Sequence, residues 1–329
     1  MYNEFFGLQK DPFNLTPDPE FLYMTAQHRE ALAGLTYAIL ARKGFVVLTG
    51  NAGTGKTTLL TRILEHLPAN RIQFSVIVNP SLTPAEFLEA TLMDFGFADI
   101  PQSKAQRIAL LQGFLWKGNR EGKITAMIVD EAHKLSLEVL EEIRLLGNFE
   151  SANEKLLQIV LVGQSELDGL LNSESLRQFK QRISLRLAIA PLTREEVERF
   201  IQFRWMKAGG SEPPFSAEAI AGIGQVSEGV PRVINVFCDN TLMRAFGEGS
   251  ARVELRHVLA VCRELQFAEP TAETVAVKAM RAMEPMAPAP AVEVFQMKTL
   301  ERYAARAGKP SLLARLAGKM GFRERIETA

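Results

Sequence analysis

The chain carries two hydrophobic rhythms in turn. Residues 45–49, 71–78, 124–131, 157–164 and 183–189 are short, mostly unbroken apolar runs rich in valine, isoleucine and leucine. Runs of that length predict strands buried on both faces. The segments between them recur with a helical period: 28–41 through Ala31, Leu35, Ala38 and Ile39, then 58–64, 83–95, 104–119, 137–146 and a short piece near Leu176. Thr83 followed by Pro84 reads as a cap and first residue of one of these helices. Alternating strands and helices predict an α/β fold with a five-stranded parallel sheet, its polar strand ends gathered at the carboxyl edge where such folds bind ligands.

From Pro191 the strand rhythm stops. Thr193-Arg194-Glu195-Glu196 is a capping box opening a helix to Met206, and helices over 217–227, 232–246 and 255–265 follow. Residues 191–268 therefore form a small all-helical domain after a sheet domain of residues 1–190. The first 25 residues hold three prolines and many aromatics, which excludes a long helix and predicts an extended arm packed on the body. Such an arm would either help to cover a nucleotide base or simply bury its rings. Residues 269–329 contain the Pro/Ala stretch Glu284-Pro285-Met286-Ala287-Pro288-Ala289-Pro290-Ala291. They end in a segment where Lys298, Arg302, Arg306, Lys309, Arg315, Lys319, Arg323 and Arg325 outweigh Glu301, Glu324 and Glu327. This reads as a disordered linker and a basic, weakly amphipathic tail suited to a partner, nucleic acid or an anionic membrane surface.

Composition narrows the picture little. Formal net charge is zero over 329 residues, so any nucleic-acid contact rests on a local patch. Cys238 and Cys262 fit no metal or disulfide spacing and read as small buried side chains of a reduced, cytoplasmic protein. With no apolar run long enough to span a bilayer, an integral membrane segment is not expected.

The chemistry begins where the first strand ends. Gly50, Asn51, Ala52, Gly53, Thr54, Gly55, Lys56 and Thr57 match G-x-x-x-x-G-K-[ST], with a strand before and a helix, starting at Thr58, after. Glycines let the backbone wrap its N–H groups around a phosphate, and the helix N-terminus adds partial positive charge. Lys56 would reach the β- and γ-phosphates of ATP, and the Thr57 hydroxyl would ligate Mg2+. At the end of the third strand, Asp130 would complete the Mg2+ shell and Glu131 would polarise the attacking water. Gln164 ends the fourth strand, where an amide can position a γ-phosphate or a water without adding charge. Arg182 precedes the fifth strand and could complete a neighbouring subunit's site, with Arg177 and Arg186 competing for that role. Arg232 opens a helix of the all-helical domain and could report the nucleotide state to it. Asp130-Glu131-Ala132-His133 also spells a helicase box, but a helicase of that kind needs a second sheet domain where this chain is helical. The guanine-reading Asn-Lys-x-Asp is absent.

Together these elements resemble the AAA+ ATPases, with residues 191–268 as the lid. The opening is more specific: Glu4-Phe5-Phe6-Gly7-Leu8, Pro12-Phe13, Leu15-Thr16-Pro17-Asp18-Pro19, Phe21-Leu22-Tyr23 and His28-Arg29-Glu30-Ala31-Leu32 resemble the start of general secretion pathway protein A (ExeA-like) ATPases. Gly163-Gln164-Ser165-Glu166-Leu167 and Gln181-Arg182-Ile183 resemble them too. The resemblance implies a Mg2+-dependent ATP hydrolase that self-associates into a ring or helical oligomer. It also implies a protein client in a cell-envelope secretion, pilus or polysaccharide export system. A sister branch, the transposition ATPases, assembles on DNA. The prototype continues into a transmembrane helix and a peptidoglycan-binding domain. The present sequence reads as a short form, cytoplasmic or peripheral at the inner membrane through its tail.

Overall fold

The computed structural model describes residues 2–270, apart from Pro17, Ala69, Asn79 and Asn153. The Pro/Ala linker and basic tail lie outside the described residues. Helices α1 (Tyr2–Phe5) and α2 (Ala26–Leu40) precede strand β1 (Phe45–Gly50). Then come α3 (Lys56–His66), β2 (Ile72–Ile77), α4 (Pro84–Asp94), α5 (Lys104–Arg120), β3 (Ile124–Val129) and α6 (Leu137–Leu146). β4 (Leu157–Gly163), α7 (Glu166–Leu171), α8 (Arg177–Lys180) and β5 (Ile183–Ile189) follow. The described residues end in α9 (Arg194–Lys207), α10 (Ala217–Val226), α11 (Pro231–Gly247) and α12 (Leu255–Leu265).

Two compact units emerge from these elements. One gathers residues 29–50 and 60–189; the other gathers 2–28, 51–59 and 190–270. In the first, all strand pairs are parallel and the order is β2-β3-β4-β1-β5. The central strands β1 and β4 are buried at every residue. That is why their sequences read as unbroken apolar runs. β5 sits at an edge and alternates, with Ser184, Arg186 and Ala188 exposed. A charged, alternating edge discourages pairing with another sheet. Register places Phe45, Ile159 and Met127 on one face, with Val47, Leu161 and Val129 beside them. They pack into a core with Phe87, Leu88 and Leu92 of α4, Leu111 and Leu115 of α5, and Val139, Leu140 and Ile143 of α6. On β5, Leu185 and Leu187 lie against Gly34 of α2, where a Cβ would meet Leu187 at 3.0 Å.

Helix ends follow the local chemistry. Thr83 and Glu86 form a capping box at α4, and Thr193 and Glu196 form another at α9. Pro231 begins α11, where a missing N–H costs nothing.

The second unit has its own core. Val197, Phe200, Ile201 and Trp205 of α9 pack with Ile223 of α10, Ile234, Phe237 and Leu242 of α11, and Val258 of α12. The N-terminal arm, which the sequence reading counts with the sheet, buries Tyr2, Leu8, Phe13 and Phe21 in this same cluster. One charged residue organises the junction. Arg204 is buried and donates to the carbonyls of Pro12 at 2.5 Å, Phe21 at 3.4 Å and Asn14 at 3.4 Å. Its guanidinium also lies over the rings of Phe21 and Phe200, 5.1 and 5.6 Å from their centroids. Burial lowers its pKa to about 10, which still leaves it cationic at neutral pH. At the arm's start, the Tyr2 hydroxyl donates to Asp239 Oδ1 at 2.5 Å. Burial, followed by that hydrogen bond, pushes the phenol far above its ordinary range. Cys238 and Cys262 are free and buried, and burial raises both thiols.

Candidate functional site

The glycine-rich loop belongs to the unit formed by the arm and the C-terminal helices, and its shape depends on two residues that only glycine suits. Gly53 has φ +77° and Gly55 φ +96°, in the region where a Cβ costs about 1–2 kcal/mol. Within the loop, the Asn51 carbonyl accepts from three donors. Thr54 N lies at 3.4 Å, Thr54 Oγ1 at 2.9 Å and Lys56 Nζ at 2.9 Å. Lys56 starts α3 and is 6% exposed, so its ammonium is held inside the loop rather than spread into solvent. Thr57 and Thr58 follow in the first helical turn, both partly buried. Ala52 and Asn51 are exposed on the loop's outer side. Positive-φ glycines, a buried lysine in the curl and a helix N-terminus behind it are what a polyphosphate needs. Thr57 Oγ1 is a hard oxygen donor of the kind Mg2+ takes.

Two further contacts fix this loop. His28, at the start of α2, is 2% exposed. Its Nδ1 is 2.7 Å from Thr25 Oγ1 and its Nε2 is 3.1 Å from the Thr54 carbonyl. A carbonyl only accepts, so Nε2 carries the proton and Thr25 donates to Nδ1. The α11 N-terminus makes the second contact. Arg232 N donates to Gly53 O at 3.3 Å, and a Cβ on Gly53 would come 2.7 Å from Arg232 Cβ. The chain reaches that position through Gly229, whose φ is +74° and whose Cβ would fall 2.0 Å from Leu192 O. Arg232 thus meets the loop through its backbone and Cβ, while the residue as a whole is exposed. The sequence reading expects Arg232 to report the nucleotide state, whereas the contact seen is between its main chain and Cβ and Gly53; that reading assigns His28 no part in the loop. The spacing Thr25…His28 at a helix start was the available signal.

In the sheet unit, the acidic pair ends β3 at the carboxyl edge. Asp130 is 4% exposed, and its N–H extends the β2–β3 ladder by donating to Ile77 O at 2.9 Å. Its Oδ1 accepts from Glu131 N at 2.9 Å. Glu131 turns left-handed, with φ 55° and ψ 32°. A non-glycine residue there is uncommon and is stabilised only by its surroundings. Its Oε2 lies 3.3 Å from Lys134 Nζ and 3.7 Å from His133 Nε2. β4 neighbours β3, and Gln164 stands one residue past its end. Gln164 N donates to His133 Nδ1 at 3.4 Å, and its side-chain Nε2 is placed 3.3 Å from His133 Nε2. Glu131, His133 and Gln164 therefore share one corner of the sheet edge.

The three arginines differ in their engagements. Arg182 is partly buried and donates from Nη1 to Arg144 O at 2.9 Å and to Asn148 Oδ1 at 2.5 Å. Arg186 pairs with Asp168 at 3.2 Å. Arg177 is exposed at the start of α8. Among the described residues, no helix is long and apolar enough to cross a membrane.

A parallel five-stranded sheet, a glycine-rich phosphate loop after β1, acids after β3 and a following helical unit define an AAA+ P-loop NTPase. Residues 39–171 match the AAA domain family, in keeping with that fold. Within that class it is a relative of general secretion pathway protein A of Aeromonas hydrophila. The two are 41% identical over 257 residues, which is 77% of this chain and 46% of that protein. The chain thus spans less than half the length of that relative. The ATP-dependent target DNA activator B of Escherichia phage Mu is 28% identical over 256 residues, 76% of this chain and 75% of the phage protein. Two solved structures share the fold. The ORC2 protein of Aeropyrum pernix, in its ADPNP–ADP complexes, aligns with a TM-score of 0.58 at 16% identity, covering 95% of this chain and 90% of that one. The ORC1 protein of the same organism, in complex with DNA, gives 0.57 at 18% identity, covering 95% and 88%.

Proposed function

We propose that this protein hydrolyses ATP with Mg2+ and uses the cycle to drive or regulate assembly of a cell-envelope secretion, pilus or polysaccharide export complex. The observation that carries the ATPase reading is the loop itself: a buried Lys56 drawn to the Asn51 carbonyl in a curl that Gly53 and Gly55 permit. On binding, Gly50 to Thr58 hold the phosphates. Lys56 would exchange its carbonyl partner for phosphate oxygens, and Thr57 and Asp130 are the residues that would hold the metal. Bound Mg2+ supplies charge neutralisation at the phosphates. Glu131 takes the proton of the attacking water, Gln164 steadies the γ-phosphate, and Arg232 carries nucleotide state into α11. Arg182 serves a neighbouring subunit's site in a ring or helical oligomer. The client reading is supported by the likeness to general secretion pathway protein A.

Mutation separates binding from hydrolysis. Lys56→Ala is expected to lose nucleotide affinity, measured by titration with a fluorescent ATP analogue. Glu131→Gln is expected to bind ATP as well as the wild type does while turning over at least about 100-fold more slowly. Wild-type turnover in Glu131→Gln would sink the assignment.

A second reading has its own support. The match to the phage DNA activator extends over three quarters of that protein's length, against less than half for the secretion relative. In this reading the chain is an ATP-dependent regulator assembled on duplex DNA. ATP-dependent filaments on DNA with a steep salt dependence would favour it. No DNA binding at low salt would leave the envelope reading.

A further inference from the structure

We propose that His133 is a positioning residue for hydrolysis: it fixes the Gln164 amide as a hydrogen-bond donor and ties it to the turn that carries Glu131. This rests on the ATPase reading above, in which Glu131 and Gln164 face the γ-phosphate.

The turn is built to bring the imidazole to the end of β4. After β3 the chain reverses at Glu131 in a left-handed conformation and enters a single 3-10 turn, Ala132–Lys134. That turn lies close to β4 because Gly163 has no side chain. A Cβ there would sit 3.1 Å from His133 N and 2.9 Å from Leu167 Cδ2. The His133 side chain is only 12% exposed, so its hydrogen bonds are made to protein.

Proton bookkeeping then leaves one arrangement. A neutral imidazole has one N–H. The Gln164 backbone N–H donates to Nδ1, so the proton resides on Nε2. Nε2–H in turn needs an acceptor. Glu131 Oε2, at 3.7 Å, is beyond hydrogen-bond range, whereas the Gln164 amide is at 3.3 Å. The atom placed at that distance is Gln164 Nε2, but an NH2 group cannot accept, so the amide is assigned the flipped orientation, with its oxygen toward His133. The two amide atoms are alike in shape, and this network decides between them. With the oxygen committed, only the NH2 of Gln164 remains for another partner. Phosphate oxygens only accept, so a donor of fixed polarity suits the γ-phosphate. An amide free to rotate would present its oxygen there part of the time and repel it.

His133→Asn discriminates this role from a merely structural one. The Asn oxygen can replace Nδ1 as the acceptor for Gln164 N, but it brings no donor to the Nε2 position. The expected result is a kcat about 10–100-fold below wild type, the usual effect of removing an outer-layer orienting partner, with ATP affinity within about threefold. In the Gln164→Ala background, His133→Asn should add less than about twofold, because the two residues act as one unit. Wild-type kcat in His133→Asn, or effects that multiply in the double variant, would overturn the proposal. A readout independent of turnover is the 15N spectrum of histidine-labelled full-length protein. A His133 signal with Nε2 protonated and Nδ1 bare, perturbed by Gln164→Ala, is expected; an Nδ1-protonated ring would overturn the assignment. Wild-type protein that does not hydrolyse ATP, or hydrolysis indifferent to Glu131→Gln, would sink the parent reading, and the tautomer would still judge the role of His133.

Discussion

Gly53 is the residue on which most constraints converge. Its φ of +77° is unfavourable for any side chain, and a methyl group would enter the space of Arg232 Cβ at 2.7 Å and Val230 Cγ1 at 3.1 Å. Gly53→Ala is therefore expected to cost at least about 2 kcal/mol, combining left-handed strain with overpacking. It should also cost more than tenfold in ATP affinity. Thermal unfolding and nucleotide titration check the two parts, and wild-type values in both would show that the α11 contact can yield. The motif alone made this glycine legible as a phosphate-loop residue. It gave no sign that Arg232, 179 positions along the chain, would stand against it. His28 shows the same limit. Its partner is the main-chain carbonyl of Thr54, and a carbonyl is present at every position, so the Thr25…His28 spacing signals the helix start but not this contact.

Elements were more legible than their addresses. Strands β1, β3 and β4 announce themselves because both faces are buried, and the helices starting at Thr83 and Thr193 because caps have residue requirements. The arm is the contrary case. Its aromatics signal burial, since rings are costly to expose, but hydrophobicity carries no destination. Arg204 supplies it: one guanidinium gathers three arm carbonyls and stacks over Phe21 and Phe200. Lysine keeps the charge but lacks the planar fork. Arg204→Lys should lower stability by about 2–4 kcal/mol, leaving carbonyls unpaired and a cation buried with fewer partners. Chemical denaturation measures this. A cost below about 0.5 kcal/mol would mean that the rings, and not the guanidinium, hold the arm.

For the whole molecule, the testable question is whether the site is complete within one chain. Arg182 is engaged with Arg144 and Asn148 of its own chain. Serving a neighbour's nucleotide would exchange those bonds for phosphate oxygens, a change that subunit packing can drive. Turnover per subunit should therefore rise with protein concentration. Arg182→Ala should bind ATP normally yet lose hydrolysis by about 1,000-fold or more if it acts as an arginine finger. Mixing Arg182→Ala with Glu131→Gln should then restore part of the activity, because each variant can complete a different half of a shared site. Activity independent of concentration, with no rescue in the mixture, would assign the site to a single chain.

The arm also sets a timetable for synthesis. Pro12 waits for Arg204, a partner 192 positions later. At about 5–20 residues per second, a ribosome takes roughly 10–40 s to cover that interval. Through it the rings of Tyr2, Phe13 and Phe21 have no native home, although the sheet that follows them can form as it emerges. The arm, made before the sheet, is thus among the last segments to settle, and in the cell it would be an early target for chaperones that hold exposed aromatic segments.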